Sequence, residues 1–180
     1  MPKFDPKIHH RRSTRLKGYD YSQAGVYFVT VVAWRRECLF GDVVDGDVVL
    51  NDYGLIVQKE WERSMEIRDE VELGIHVVMP NHYHGIVILH NDTMVVGATG
   101  RSPLPPRGPV PKSLGALMAG FKSSVTKQIN LLRGTPGIPV WQRNYYERII
   151  RDEREMERIH RYIESNPSMW SDDDENPANL

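Results

Sequence analysis

The chain of 180 residues holds one cysteine, Cys38, which excludes an intramolecular disulfide framework and any Cys-rich zinc site. Long apolar runs are missing too: none approaches the roughly 20 residues that a membrane-spanning helix needs. The opening "MPKFDPKIHHRRSTRLKG" has no apolar centre of the signal-peptide kind. A cytoplasmic location with no membrane partner is the expectation. Charge of one sign is not in excess either: 23 Lys and Arg stand against 24 Asp and Glu, for a net −1, so the total does not advertise nucleic-acid binding. There is no internal repeat, no His-Glu-x-x-His helix and no His-x-His-x-Asp-His run, which removes the zinc-protease and binuclear-hydrolase patterns. What remains is ordinary for a globular domain, 40% hydrophobic and 26% charged, with enough chain for one core rather than two domains.

Charge is uneven along the chain. Residues 1–18 form a basic arm, with Lys3, Lys7, Arg11, Arg12, Arg15 and Lys17 against Asp5 alone. Residues 171–180 form an acidic tail around Asp172, Asp173, Asp174 and Glu175. A basic arm can contact phosphates, and a short charged terminus can equally be a solvated tail. Between them, residues 19–170 read as the domain. Residues 91–112 interrupt it with five prolines and three glycines, a segment expected to be a mobile excursion.

Within the domain, "GVYFVTVVAWRR" (25–36) is β-branched and aromatic and predicts a central strand. "DVVDGDVVLND" predicts a hairpin turning at Asp45-Gly46. "YGLIVQKEWERSMEIRD" has a helical rhythm, and "VELGIHVVMP" and "HYHGIVIL" read as strands joined at Pro80-Asn81. "SLGALMAGFKSSVTKQINLLRG" predicts a helix capped by Ser113 and ended by Gly134, "VWQRNYYERII" a strand, and "DEREMERIHRYIESNP" a final helix stopping at Pro167. This order suggests an α+β fold with helices over a largely antiparallel sheet.

His82 and His84 fall on one face of their strand, with Tyr83 on the other. Two imidazoles on a buried face need separate polar partners, or they share one divalent cation. With no sulfur set for a structural zinc, an open, partly oxygen-ligated Mg²⁺ or Mn²⁺ site fits best. His76 reads as structural or surface. On the last helix Tyr162 and Asn166 are four residues apart and share a face. Tyr162 could pack with Ile159 and Ile163 while Asn166 ends the helix. Alternatively, the amide could complete a metal site beside a tyrosine able to act as a nucleophile.

"MPNHYHGIVI" resembles the His-hydrophobic-His strand of the HUH endonucleases. "VWQRNYYERIIRDE" followed by "RYIESNP", together with "SLGALMAGFKSSVTKQIN", is similar to the single-tyrosine transposases, and specifically to the REP-associated tyrosine transposases. The likeness runs from about Tyr19 to Trp170, with Tyr83 where the family usually has a bulky hydrophobic residue. It implies a ferredoxin-like antiparallel sheet with helices on one face, His82, His84 and Asn166 as ligands of Mg²⁺ or Mn²⁺, and Tyr162 as the nucleophile. The implied activity is single-strand DNA nicking and rejoining through a 5′-phosphotyrosine, as a transposase on single-stranded or hairpin DNA. Family relatives include dimers, so the resemblance allows a homodimer, although no interface stripe stands out. Arg11, Arg12, Arg15, Lys122, Lys127, Arg143 and Tyr145 are the DNA-contact candidates. The competing expectations are a DNA-binding protein of this fold that no longer cleaves, and a small metal-dependent hydrolase.

Overall fold

A computed structural model describes residues 19–21, 23–90 and 109–179. Arg11, Arg12 and Arg15 of the basic arm, and nearly all of the Pro/Gly-rich stretch, lie outside the described residues. In chain order the elements are β1 (Gly25–Val32), β2 (Gly41–Val44), β3 (Asp47–Leu50), α1 (Asp52–Glu66), β4 (Val71–Val78), β5 (His82–Leu89), α2 (Leu114–Leu132), β6 (Tyr146–Ile150) and α3 (Glu153–Ser165). Four strands form one sheet in the order β4-β5-β1-β6, and every pairing in it is antiparallel. β2 and β3 form a separate hairpin. Its turn has positive φ at both Asp45 (54°) and Gly46 (87°), the geometry that an Asp-Gly pair adopts at little cost.

Each helix starts where a side chain satisfies free backbone N–H groups. Asn51 accepts from Tyr53 and Gly54, Ser113 from Ala116 and Asp152 from Glu155; each such cap contributes about 1 kcal/mol. Strand alternation then divides the core. Tyr27, Val29, Val31, Tyr83 and Val87 point to one face, where Val57 and Trp61 of α1 and Leu117, Phe121 and Val125 of α2 cover them. Phe28 and Ile86 point to the other, against Ile159 and Ile163 of α3. The helices therefore lie on both faces rather than on one. α3 covers the second face through Ile159 and Ile163, the face to which His82 and His84 alternate away from Tyr83.

Two expected strands are shorter than their sequences suggest. The first ends at Val32, and Trp34–Arg36 form a 3-10 turn with Arg35 and Arg36 at φ 57°. The last begins only at Tyr146, while Trp141 makes a single bridge to Ala33. In both places a β-rich composition spans a point where the chain leaves the sheet, and composition alone does not mark that exit.

Candidate metal and nucleophile site

β5 is the second strand of the sheet and pairs on both sides, so its side chains are held by neighbours on β1 and β4. His82 is opposite Val32 and His84 opposite Thr30. Gly85 follows the motif because Tyr83 folds over it: a Cβ at position 85 would run into the Tyr83 hydroxyl. The rings of His82 and His84 lie side by side, centroids 4.5 Å apart, and both residues are buried, at 0% and 3% exposure.

The outer ring nitrogens are both engaged. His82 Nδ1 lies 2.9 Å from Asn81 Oδ1. Asn81 donates its Nδ2 hydrogens to the carbonyls of Arg36 (3.0 Å) and Glu175 (2.7 Å), so its oxygen can only accept. The proton of neutral His82 therefore sits on Nδ1, and Nε2 presents a lone pair to the site. His84 Nδ1 lies 2.8 Å from Thr30 Oγ1, which leaves its Nε2 facing the site as well. Such outer partners are what orient histidines that bind metals.

α3 brings its polar face to the same point. Tyr162 OH is 3.2 Å from His84 Nε2, and Asn166 Oδ1 is 3.2 Å from His82 Nε2. Ile159 and Ile163 anchor the helix from beneath. Phe28 stacks on His84, centroids 5.4 Å apart, and meets Tyr162 edge-on at 6.0 Å. Tyr162 is 44% exposed whereas Asn166 is buried, so an incoming substrate can reach the phenol.

The chain beyond α3 folds back over this end of the sheet. Glu175 pairs with Arg36 at 2.6 Å, and Asp173 Oδ2 accepts from Asn166 Nδ2 at 2.9 Å. With its Nδ2 spent on Asp173, Asn166 turns its oxygen toward the His82 lone pair. Two acceptors thus face each other with no hydrogen between them, since burial pushes the His82 pKa down to about 4 against the opposing pull of Asp173 and Asn166. A cation relieves that contact. One ligand atom each from His82, His84 and Asp173 lies within 4.8 Å of the others, a mixed nitrogen and oxygen set of the kind that holds divalent ions. His84 is also held well below the usual imidazole range, by burial first and by His82 second. Both rings are therefore neutral at neutral pH, the form in which an imidazole can bind a cation. Tyr162 is pushed up to about 12, first by burial and then by Asp173, Asp174 and Glu175, so it keeps its proton until positive charge arrives.

Other candidates lie elsewhere. Lys122 donates to the carbonyls of Gln142, Arg143 and Asn144 and ties α2 to the segment before β6. Lys127 and Arg143 are exposed. Tyr145 packs against the α1/α2 core, on the sheet face opposite the histidines; of the tyrosine pair it is Tyr146 that faces Phe28, centroids 6.2 Å apart. Three site residues escaped the sequence reading. Asn81 looked like turn punctuation, Thr30 like a strand residue, and Asp173 like part of a tail. The only signal was indirect: an amide directly before the first histidine.

No family model matches the chain. It is 37% identical over 179 residues to an uncharacterized protein of Haemophilus influenzae, spanning 95% of this chain and 96% of that protein. Its fold superposes on a REP-associated tyrosine transposase solved bound to a REP hairpin, with a TM-score of 0.57 and 19% identity, over 86% of this chain and 73% of the other. The chain therefore belongs to one family with the Haemophilus influenzae protein, and it shares its fold with that REP-associated tyrosine transposase.

Proposed function

We propose that the protein is a single-strand DNA endonuclease and strand transferase, a transposase-type enzyme, with Tyr162 as nucleophile and a divalent ion, Mg²⁺ or Mn²⁺, held by His82, His84 and Asn166. Asp173 adds a carboxylate to that set. One observation carries the reading: a partly exposed phenol lies 3.2 Å from Nε2 of the buried, neutral His84, beside a His82 ring nitrogen and an Asn166 amide oxygen that face each other at 3.2 Å with no proton between them. When bound, the ion supplies Lewis-acid polarisation of a phosphate oxygen.

The chain's own residues account for the rest. Thr30 and Asn81 fix the imidazoles with Nε2 toward the site. Phe28 and Ile159 hold α3 at the depth where Tyr162 meets an incoming strand. The Tyr162 oxygen loses its proton to solvent and attacks phosphorus, the bond from phosphorus to the 3′-oxygen breaks, and that oxygen takes a proton from solvent and leaves as a 3′-hydroxyl, so protons and bonds balance. The product is a 5′-phosphotyrosine, which a 3′-hydroxyl can later attack to rejoin strands, so the cycle needs no external energy source. The hairpin carried by the structural relative makes single-stranded DNA with a hairpin the substrate of choice to test.

Labelled single-stranded and hairpin DNA, incubated with Mg²⁺ or Mn²⁺ and run on a denaturing gel, tests this. A covalent adduct that is abolished by EDTA, His82→Ala or His84→Ala supports the proposal. Full activity of either variant in chelator overturns the metal role. Release of a free 5′-phosphate product with no adduct would favour the hydrolase.

A further inference from the structure

Next to Tyr162 the surface is not flat. A cavity of about 240 Å³ opens between Phe28, Tyr146, Arg148, Arg158, Ile159 and Tyr162. It shares Tyr146, Arg148 and Arg158 with a larger open cleft of about 590 Å³ that continues past Arg151 and Arg154. Together they make a groove between β6, an edge strand of the sheet, and the N-terminal half of α3, leading away from the nucleophile candidate.

The sequence of α3 explains its lining. Arg154, Arg158, Tyr162 and Asn166 recur every four residues, so they form one slowly rotating stripe with about 6 Å of helix axis between steps. Two arginines and the phenol stand in file and end at the amide beside His82. Across the groove, alternation on β6 buries Glu147 and leaves Tyr146 and Arg148 outward. Tyr146 is 37% exposed and is braced edge-on by Phe28.

Glu147, Asp152 and Glu155 also border the groove; Glu147 is buried, and the backbone and the arginines occupy the other two. Asp152 caps α3. Glu155, the inner member, takes Arg148 at 2.6 Å, Arg158 at 3.6 Å and the backbone N–H of Arg151 at 3.1 Å. The Arg148 and Arg158 side chains remain 48% and 61% exposed, so Glu155 aligns them without covering them. An exposed aromatic ring flanked by arginines in a groove suits a single strand, whose bases stack while its phosphates pair with cations. A duplex presents no free base face to Tyr146.

Resting on the proposed DNA chemistry at Tyr162, we propose that this groove binds the single-stranded DNA flanking the scissile phosphate, with Tyr146 stacking on a base and Arg154 and Arg158 contacting successive phosphates.

The test uses the full chain in EDTA, where binding is read without cleavage, and a labelled oligothymidylate of about twelve nucleotides, long enough to exceed a short site. Fluorescence anisotropy across a salt series is expected to show a binding slope that falls by about 1.4 in Arg154→Gln/Arg158→Gln, roughly 0.7 per lost phosphate contact on a single strand. Tyr146→Leu is expected to weaken binding about 5- to 150-fold with the slope unchanged, the loss of one stacked base. A 5-iodouracil-substituted strand, photocrosslinked to the unmodified protein, is expected to label a peptide within residues 146–162. That arm needs no variant to fold. No binding by the wild type, wild-type slopes in the double variant, or crosslinks only outside residues 146–162 would overturn the groove. A protein that passes these tests yet forms no adduct with any metal keeps the groove and loses the chemistry.

Discussion

Lowering the pH in chelator from about 7.5 to about 4.5 sets the buried histidine pair against the unfolded chain. His82 has an ordinary imidazole pKa of 6.5 and is held at about 4 in the folded protein, with burial as the main cause. The sign follows from proton counts. Above 6.5 neither state binds the proton. Below it the unfolded chain takes one up and the folded chain does not, so stability falls as pH falls, by about 1.4 kcal/mol per unit, until the folded pKa is reached. The gap for His82 corresponds to on the order of 3 kcal/mol, a large share of the 5–15 kcal/mol typical of a domain. His84 is shifted in the same direction, but a proton on one ring opposes a proton on the other, so the two losses do not simply add. Glu60 and Glu155 are lowered from a starting value of 4.5, so their losses begin at the bottom of this window. Urea unfolding followed by tryptophan fluorescence is expected to show the loss in the wild type, less of it in His82→Gln, and a nearly flat profile in His82→Gln/His84→Gln. Parallel profiles for all three proteins would refute the assignment of two buried, neutral imidazoles.

Three further outcomes follow from the same geometry. Thr30→Val removes the hydroxyl that steadies His84 Nδ1 and is expected to weaken Mn²⁺ binding about 10- to 100-fold, read by isothermal titration, with the fold retained. Asp173→Asn takes a carboxylate from the candidate ligand set and should weaken Mn²⁺ binding in the same titration; an unchanged affinity would place Asp173 outside the set. Removing residues 97–108, which lie outside the described residues, is expected to leave adduct formation intact, because both flanks are anchored, by His90 N–H on Glu70 and by the Ser113 cap. A collapse of the melting transition in that variant would make the segment structural.

Much of this site is visible in the sequence because it is written in local spacing. A two-residue step puts His82 and His84 on one strand face, and a four-residue step puts Tyr162 and Asn166 on one helix face. The caps at Ser113 and the turn at Asp45-Gly46 are equally local. Contacts that depend on chain reversal are not visible. Asp173 reaches the histidines only because the chain turns at Trp170–Asp172 and Glu175 clips to Arg36. Asn81 acts through its side chain, yet its position after a proline reads as turn chemistry. The choice between Tyr145 and Tyr146 depended on where β6 starts and which face it turns to Phe28, and composition does not set either. Arg154 and Arg158 share the Tyr162 face of α3 by the same four-residue step, but the groove they line exists only where β6 lies alongside that helix.

Locating the covalent bond tests the central claim most directly. After reaction with hairpin-containing single-stranded DNA and Mn²⁺, nuclease trimming and proteolysis, mass spectrometry is expected to find a phosphonucleotide on the peptide containing Tyr162, and Tyr162→Phe is expected to lose it while still binding metal and hairpin. Tyr146 is the competitor on the same sheet face, and Tyr145 lies on the opposite one. An adduct on either of those tyrosines, or an undiminished adduct in Tyr162→Phe, would contradict the account.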